Sequence, residues 1–557
     1  MKERLANLDT IVSLILAFVT VVEWILNIPG RYILVSLISV LALWLAIMVV
    51  ILMRIPWNAS FRPDLLNWRS TGWRQLFPVL FHRPLYESKY VSPNFDSQFM
   101  EDRIFDAKFI DCITVIIEDD PVGFIDNLGC MFPVMAVTEN SSHSELLSEM
   151  QALESEILHR KLFFVATPSR RLDEEKSRIL NDRIGQALKA FSQRIPSGFR
   201  IVSKIDSCLR SNYEPEYNGI KSGFGDFSLE VLIPSYVEQG RVTVHGEQYI
   251  RQDEQLVPIH ESEFSAFKGL EFRNSNLALW AERKCRHLGS RKNVGLVDID
   301  LLRSHSAEEI ATRIANRPPQ VKMMVFDSQD SYDLSKILQI LFLLETREER
   351  IFYKFGPSMI NRIAAQYASL LSSPGVIPVS GIRPEDRGMF IAGSLSTKTK
   401  LQIADLRDEP QMSIVLISEE EIDHADLQHI IDKKTKKIME KNRRGDNVIL
   451  TTEFWKRNDN EYPTLDKRDK VLSLFARIAS NVQIMENRWF LFKGSDTALY
   501  TLTNGLNIKS FYYCGQYIPG VIHCQCAMGE NQMKSFFIVG GNVGNNSILV
   551  DFIKKMS

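Results

Sequence analysis

A chain of 557 residues exceeds what one ordinary hydrophobic core accommodates, so at least two domains are expected. A composition of 45% hydrophobic and 24% charged residues excludes extensive disorder, and a net charge of −2 excludes a global basic field for nucleic acid. Seven scattered cysteines, an odd number, fit free thiols in a reducing compartment better than a disulfide framework.

Two apolar stretches open the chain. The second, Tyr32 to Met53, carries no charged residue and is long enough to cross a hydrocarbon layer of ~30 Å. The first, Thr10 to Asn27, is apolar apart from Glu23, and Asn27, Pro29 and Gly30 separate the two. This predicts a transmembrane helical hairpin over residues 1–55. A signal peptide would need a small-residue cleavage site, which Ile28-Pro29-Gly30-Arg31 does not supply. Lys2 and Arg4 precede the hairpin, and Arg54, Arg62, Arg69, Arg74 and Arg83 follow it. The positive-inside bias therefore predicts a multi-pass protein of the inner (cytoplasmic) membrane with its soluble domains in the cytoplasm. Trp57, Trp68 and Trp73 interleave with those arginines in a juxtamembrane linker, residues 56–104, which reads either as resting on headgroups or as solvated.

From Phe105 onward short apolar runs alternate with amphipathic stretches. The runs include Ile113–Ile117, Leu162–Val165, Val231–Ile233, Val294–Val297, Met323–Phe326, Met389–Ala392, Ser413–Ile417 and Phe536–Val539. Ile179 to Phe191 and His424 to Met439 read as helices. The alternation predicts an α/β fold with largely parallel sheets. Pro374, Gly375, Pro378, Gly381 and Pro384 mark a connection within Ser372–Arg387, dividing the chain into domains 105–370 and 371–557.

The ends of these runs carry the chemistry. Glu118-Asp119-Asp120 follows the first, where α/β proteins bind ligands. Such carboxylates bind hydroxyls, hold Mg²⁺ through water or accept a proton, but also occur as solvated acidic turns. Ala166-Thr167-Pro168-Ser169-Arg170 ends another run. Lys204, Asp206, Ser207, Arg210 and Asn212 lie close together, and an arginine fork with a lysine charge suits a substrate carboxylate as well as surface ion pairs. Further on, three turns suit phosphate: Gly393-Ser394-Leu395-Ser396 before a helix, Lys493-Gly494-Ser495-Asp496-Thr497, and Gly540-Gly541-Asn542-Val543-Gly544. Neither GxxxxGK[ST] nor the protein-kinase GxGxxG is present. His523, Cys524 and Cys526 cluster without a CxxC or HxxxH partner, so no metal site is expected there.

In this order the stretches resemble the four-carbon acid sugar kinases. The family's DDLTGAxD is similar to Asp119 through Asp126, its T-x-SR to Thr167 through Arg170, and its KxDSTLRGN to Lys204 through Asn212. PAxPxxGR is similar to Ile233 through Arg241, and YRTxxSF to Tyr353 through Met359. GSHVxKTTxQL is similar to Gly393 through Gln402, and KGGxT to Lys493 through Thr497. GQxxPGV stands intact at Gly515 through Val521, and PGNVG nearly so at Gly540 through Gly544.

The resemblance implies a sugar-acid-binding domain followed by a nucleotide-binding domain, with ATP and Mg²⁺ as cofactors and a small sugar acid as substrate. It implies Asp119, Arg170, Lys204, Ser207 and Arg210 as substrate-binding residues and Asp120 or Asp206 as the catalytic base. Ser358, Gly393, Ser394, Leu395, Ser396, Gly494, Gly541, Asn542 and Gly544 would face the nucleotide. Val122, Phe124, Cys208, Ser211, Lys354, Lys400, Glu453, Ser495 and Asp496 differ from the family pattern. The expected function is a membrane-anchored sugar-acid kinase. The alternative is a catalytically weak pseudokinase-type sensor, with no nucleic-acid partner in either case and a homodimer left open.

Overall fold

The structure, a computed structural model, describes residues 83–84, 112–119, 130–252, 255–262, 273–347, 349–371, 377–383, 386–456, 464–483, 488–529 and 532–556. The chain divides into two compact units, Met1–Arg83 and Pro84–Ser557. In the second unit most of the apolar runs become strands covered on both faces, which removes the in–out alternation of a half-exposed strand. Ile113–Glu118, for example, is buried along its whole length. Val294–Val297 and Met412–Ile417, at the two ends of the sheet, are only partly covered.

The first region contributes β1 (Ile113–Glu118), β2 (Phe132–Ala136), β3 (Leu162–Ala166), β4 (Phe199–Lys204) and β5 (Leu229–Ile233). An antiparallel meander follows: β6 (Arg241–Val244), β7 (Glu247–Gln252) and β8 (Gln255–Pro258). Then come β9 (Val294–Val297), β10 (Met323–Phe326) and β11 (Ile351–Phe355). Outside the meander, these strands pair in parallel in the order β9-β10-β5-β11-β4-β1-β3-β2.

The second region supplies β12 (Arg387–Ala392), β13 (Met412–Ile417), β14 (Asn447–Thr452), β15 (Arg488–Lys493), β16 (Ser510–Ile518), β17 (Val521–Cys526) and β18 (Ser535–Val539). β16 pairs antiparallel with β2, so both regions share one sheet of fifteen strands among the described residues. It continues β16-β17-β18-β15-β12-β14-β13, antiparallel as far as β18 and parallel beyond. The expected α/β architecture is present, with an antiparallel hairpin between two parallel halves. The connection at Ser372–Arg387 lies between helix Pro357–Leu371 and β12, and Ser380 N donates to Ser535 Oγ at 2.9 Å.

The expected membrane hairpin and membrane location are corrected. Among the described residues no helix is long and apolar enough to cross a membrane. The long helix Glu174–Ser192 carries Glu174, Glu175, Lys176, Arg178, Asp182, Arg183 and Lys189, whereas a span needs about 20 largely apolar residues. The stretches 10–27 and 32–53, on which the expectation fell, lie outside the described residues.

Two helices fix the loop after β4. Helix Tyr213–Phe224 starts where that loop ends and packs on Glu174–Ser192 at backbone distance. A Cβ on Gly223 would sit 2.2 Å from the Asp182 carbonyl oxygen, and one on Gly219 would sit 2.4 Å from that of Arg178. Backbone, unlike a side-chain end, cannot turn aside. Gly223→Ala is therefore expected to destabilise the protein by about 1–3 kcal/mol through overpacking. The measurement is the urea unfolding midpoint; an unchanged midpoint would show that the helices separate freely.

Candidate active site

β1 lies between β3 and β4 in parallel register, so Glu118–Asp119, Thr167–Arg170 and Lys204–Arg210 emerge side by side at the carboxyl ends. Thr167 Oγ1 donates to the Glu118 carbonyl at 2.8 Å, tying two of these ends together. Arg170 grips Asp119 with both arms of its fork, Nη2 to Oδ1 at 2.9 Å and Nε to Oδ2 at 3.1 Å. Two parallel charge-assisted bonds fix orientation as well as distance.

The loop after β4 closes on itself. Arg210 Nε donates to Asp206 Oδ2 at 2.6 Å, and Leu209 N donates to the Asp206 carbonyl at 2.8 Å. Leu209 is buried with φ +63°, a left-handed conformation that costs a non-glycine residue about 1–2 kcal/mol. Packing of its side chain in the core holds it there. Burial opposes ionisation of Asp206, but the guanidiniums of Arg210, Arg170 and Arg241 outweigh it and hold the carboxyl far below the usual range. The site thus keeps an ionised carboxylate among three arginines.

Ser207 is buried in this loop. Its hydroxyl accepts from Arg241 Nη1 at 3.4 Å, and its carbonyl accepts from Gln248 Nε2 at 3.0 Å. The meander strands β6 and β7 therefore support the loop from behind. Lys204 is also buried, with Nζ 3.6 Å from Glu118 Oε1. Glu118 Oε2 in turn accepts from Tyr513 Oη at 2.6 Å, a residue of β16. Asp120, the other candidate base, lies outside the described residues.

Sequence reasoning placed Glu118 in the acidic strand end without its partners Lys204 and Tyr513. It gave no role to Arg241, Gln248, Tyr513 or the ion pair of Lys354 with Glu216. That pair is fully buried. Lys354 Nζ also donates to Ser203 Oγ at 2.9 Å, and Ser169 Oγ donates to Glu216 Oε1 at 2.6 Å. Asn212 Nδ2 donates to the carbonyls of Ser169 and Leu172, each at 2.9 Å. Burial raises the carboxyl of Glu216, against the pull of the Lys354 cation. The pair thus lies under the short turn Ser169–Arg171 that presents Arg170. The one available signal was Lys354 standing where the family has arginine.

Ser358 sits in the first region, at the start of helix Pro357–Leu371. Its hydroxyl accepts from Val237 N at 2.9 Å and donates to Glu238.

The second region gathers its turns at the ends of β12, β15 and β18. Gly393 N and Ser394 N each donate to the Lys493 carbonyl at 3.3 Å, and Gly494 N donates to the Val539 carbonyl at 2.9 Å. The turns approach closely enough that a side chain at Gly393 or Gly541 would have to displace a neighbouring hydroxyl. A Cβ on Gly393 would lie 2.3 Å from Thr497 Oγ1, and one on Gly541 would lie 2.6 Å from Ser394 Oγ. Ser396 caps helix Thr397–Arg407, and its hydroxyl also donates to the Gly541 carbonyl at 2.6 Å. Thr399 Oγ1 donates to the same carbonyl at 2.9 Å. Leu395 packs against the core, while Asn542 and Gly544 are half-buried, Gly544 at φ +84°. The three predicted turns therefore meet, with the starts of helices Thr397–Arg407 and Ser495–Asn504 beside them. His523, Cys524 and Cys526 lie on β17; His523 Nε2 is 2.7 Å from Ser535 Oγ, and burial pushes its imidazole down to about 4.

The sequence matches the model of a sugar-binding N-terminal domain over residues 114–363 and that of a nucleotide-binding C-terminal domain over residues 389–549. A Haemophilus influenzae protein of known structure is 16% identical with a TM-score of 0.55, over 79% of this chain and 98% of its own. A Salmonella typhimurium LT2 protein bearing the provisional name tRNA synthase is 15% identical with a TM-score of 0.58, over 80% of this chain and 99% of its own. At such identities the likeness is one of fold. No curated protein matches the sequence.

The buried pair gives a separable prediction. Lys354→Met leaves Glu216 buried without its cation, and removing one member of such a pair costs about 3–5 kcal/mol. Adding Glu216→Leu removes the stranded charge and is expected to restore most of that loss. Chemical denaturation of both variants checks this; a double variant no more stable than Lys354→Met would contradict it.

Proposed function

Because the chain belongs to the four-carbon acid sugar kinase family, we propose that it transfers a phosphoryl group from ATP to a hydroxyl of a small sugar acid. In this reading residues 105–370 bind the acid and 371–557 bind the nucleotide. The observation that carries it is the arrangement around Asp206. Three arginines and Lys204 offer charge to a carboxylate, while Asp119 and Asp206 offer acceptors to hydroxyls, within the sugar-binding region. A site of one sign would suit a plain anion; this mixture suits a polyhydroxy acid.

Arg170, Lys204 and Arg210 bind the carboxylate, Arg170 as a fork already oriented by Asp119. Asp206 stays ionised and accepts a hydrogen bond from a substrate hydroxyl, which orients that oxygen. Phosphoryl transfer passes through a loose transition state that depends mainly on positioning and charge, so a weakly basic carboxylate suffices. Asp120 is the second candidate for taking the proton. The Gly393–Ser396 and Gly541–Gly544 turns receive the phosphates through the backbone N–H groups of Leu395, Gly541, Asn542 and Gly544, while Gly494, its N–H bonded to Val539, holds the turns together. Magnesium neutralises phosphate charge when bound; it needs only one or two carboxylates beside phosphate oxygens. Among the described residues no cluster of three or more His, Cys, Asp or Glu side chains dictates its place.

The test is ATP consumption by the purified protein with Mg²⁺ over a panel of four-carbon sugar acids. Turnover with at least one acid is expected. Arg170→Gln should lower kcat/KM by roughly 10- to 150-fold, the equivalent of about 1.5–3 kcal/mol for a hydrogen bond to a charged group. Asp206→Asn should lower kcat more than it raises KM. Thermal stabilisation by an acid without turnover would instead indicate a sensor.

A further inference from the structure

Lys493 ends β15 beneath the three turns, and its side chain is fully buried. Its ammonium donates to the carbonyls of Gly540 at 2.5 Å, Gly541 at 3.3 Å and Val543 at 3.5 Å. These are successive parts of the turn that closes on Ser394, Ser396 and Thr399. Among the described residues no carboxylate lies within ion-pair distance of Lys493. The charged group that bears on it is another cation, Lys398, exposed on the first turn of helix Thr397–Arg407. Asp496, on the helix after Gly494, reaches Arg468 at 3.7 Å instead. Among the described residues the other buried cations have carboxylate partners: Lys354 has Glu216, Arg200 has Glu345, Lys204 has Glu118 and Lys434 has Glu421.

Taking the nucleotide-binding reading as its basis, we propose that Lys493 is the positioning residue of the phosphate site. From below, its ammonium pins the Gly540–Val543 turn against the Gly393 and Gly494 turns, and the phosphate of a bound nucleotide supplies the counter-charge. Three N–H donors match three carbonyls. A neutral amine has two, so loss of the proton frees one carbonyl and turns a lone pair toward oxygen. Burial, helped by Lys398, pushes the lysine down to about 7, so without ligand the staple weakens as pH rises past neutrality. A phosphate held by the turns favours the charged form. Nucleotide binding above pH ~7 is therefore coupled to uptake of a proton from solvent onto Lys493 Nζ, and affinity falls by up to roughly tenfold per pH unit there.

Calorimetry of ADP with Mg²⁺ binding to the full chain at about pH 8, in two buffers of different ionisation enthalpy, tests this. Uptake approaching one proton per ADP is expected, because the phosphates themselves are fully ionised at that pH. Lys493→Met should bind ADP at least tenfold more weakly and without uptake; Lys493→Arg, which keeps a permanent charge, should recover affinity with a flat pH profile. ADP binding by the wild-type chain without proton uptake overturns the proposal even if Lys493→Met fails to fold. Undiminished uptake in a folded Lys493→Met variant does the same. No ADP binding at all overturns the nucleotide reading on which it rests.

Discussion

The pairing of β2 with β16 joins the two regions into one sheet, and the relation between the two candidate sites follows from it. Four residue pairs, from Ser510 opposite Met135 to Tyr513 opposite Phe132, continue the first region's parallel strands into an antiparallel hairpin. Tyr513, at the last of these pairs, sends its hydroxyl to Glu118 at the floor of the first site, a contact between residues 395 apart in the chain. Because the hairpin and β18 reverse direction in turn, the parallel strands β15, β12, β14 and β13 run opposite to those of the first region. In a flat sheet their carboxyl ends, and so the two sites, would lie at opposite edges. Seven strand-to-strand steps separate β4 from β15, and sheets twist by roughly 20–25° per step, so the strand ends are not held at flat-sheet edges. Arg171, beside Arg170, bridges the regions: Nη1 donates to Asp469 at 2.8 Å and the guanidinium lies 5.9 Å from the Tyr500 ring centre.

The two sites handle charge differently. In the first, each key charge is matched within the protein: Arg170 by Asp119, Arg210 by Asp206, Lys204 by Glu118, with Lys354 and Glu216 beneath. Desolvating an ion is costly, and these pairings offset the cost before any ligand arrives. A substrate that offers both a carboxylate and hydroxyls can exchange with such pairs without leaving a charge stranded. In the second, glycine turns and helix starts converge around Lys493, whose partners among the described residues are carbonyls, and that arrangement asks for an anion.

Much of this was legible in the sequence because parallel strands buried on both faces read as plain apolar runs. Met323–Phe326 matches its predicted bounds, and Leu162–Ala166 extends its predicted run by one residue; Val294–Val297 also matches, although as an edge strand it exposes Leu296. The groups at strand ends were legible too, since a polar cluster directly after an apolar run marks where a buried strand leaves the sheet. Three kinds of feature were not. The antiparallel junction depends on which strands neighbour each other, which local pattern does not encode. Partners such as Glu216 for Lys354 and Tyr513 for Glu118 are remote in sequence, and a glutamate on an amphipathic helix looks solvated until the helix packs. The membrane expectation came from hydropathy, a Pro-Gly break and flanking positive charge, and its two apolar stretches lie outside the described part.

The departures from the family pattern take on meaning from their surroundings. Cys208 is buried, with its thiol pushed up to about 11, so it acts as a small apolar residue under the Asp206 loop rather than as a nucleophile. Lys354 keeps the positive charge of the family's arginine and directs it to Glu216. Glu453 accepts from Glu419 N at 3.4 Å, at the start of the neighbouring helix Glu419–Ile422. Asp496, which would repel a phosphate if its charge stood alone, has Arg468 within 3.7 Å. None of these changes removes Asp119, Arg170, Lys204, Asp206 or Arg210. They alter packing and the supports of the loops, and such changes reshape the space offered to a substrate more readily than they abolish the charges that bind it.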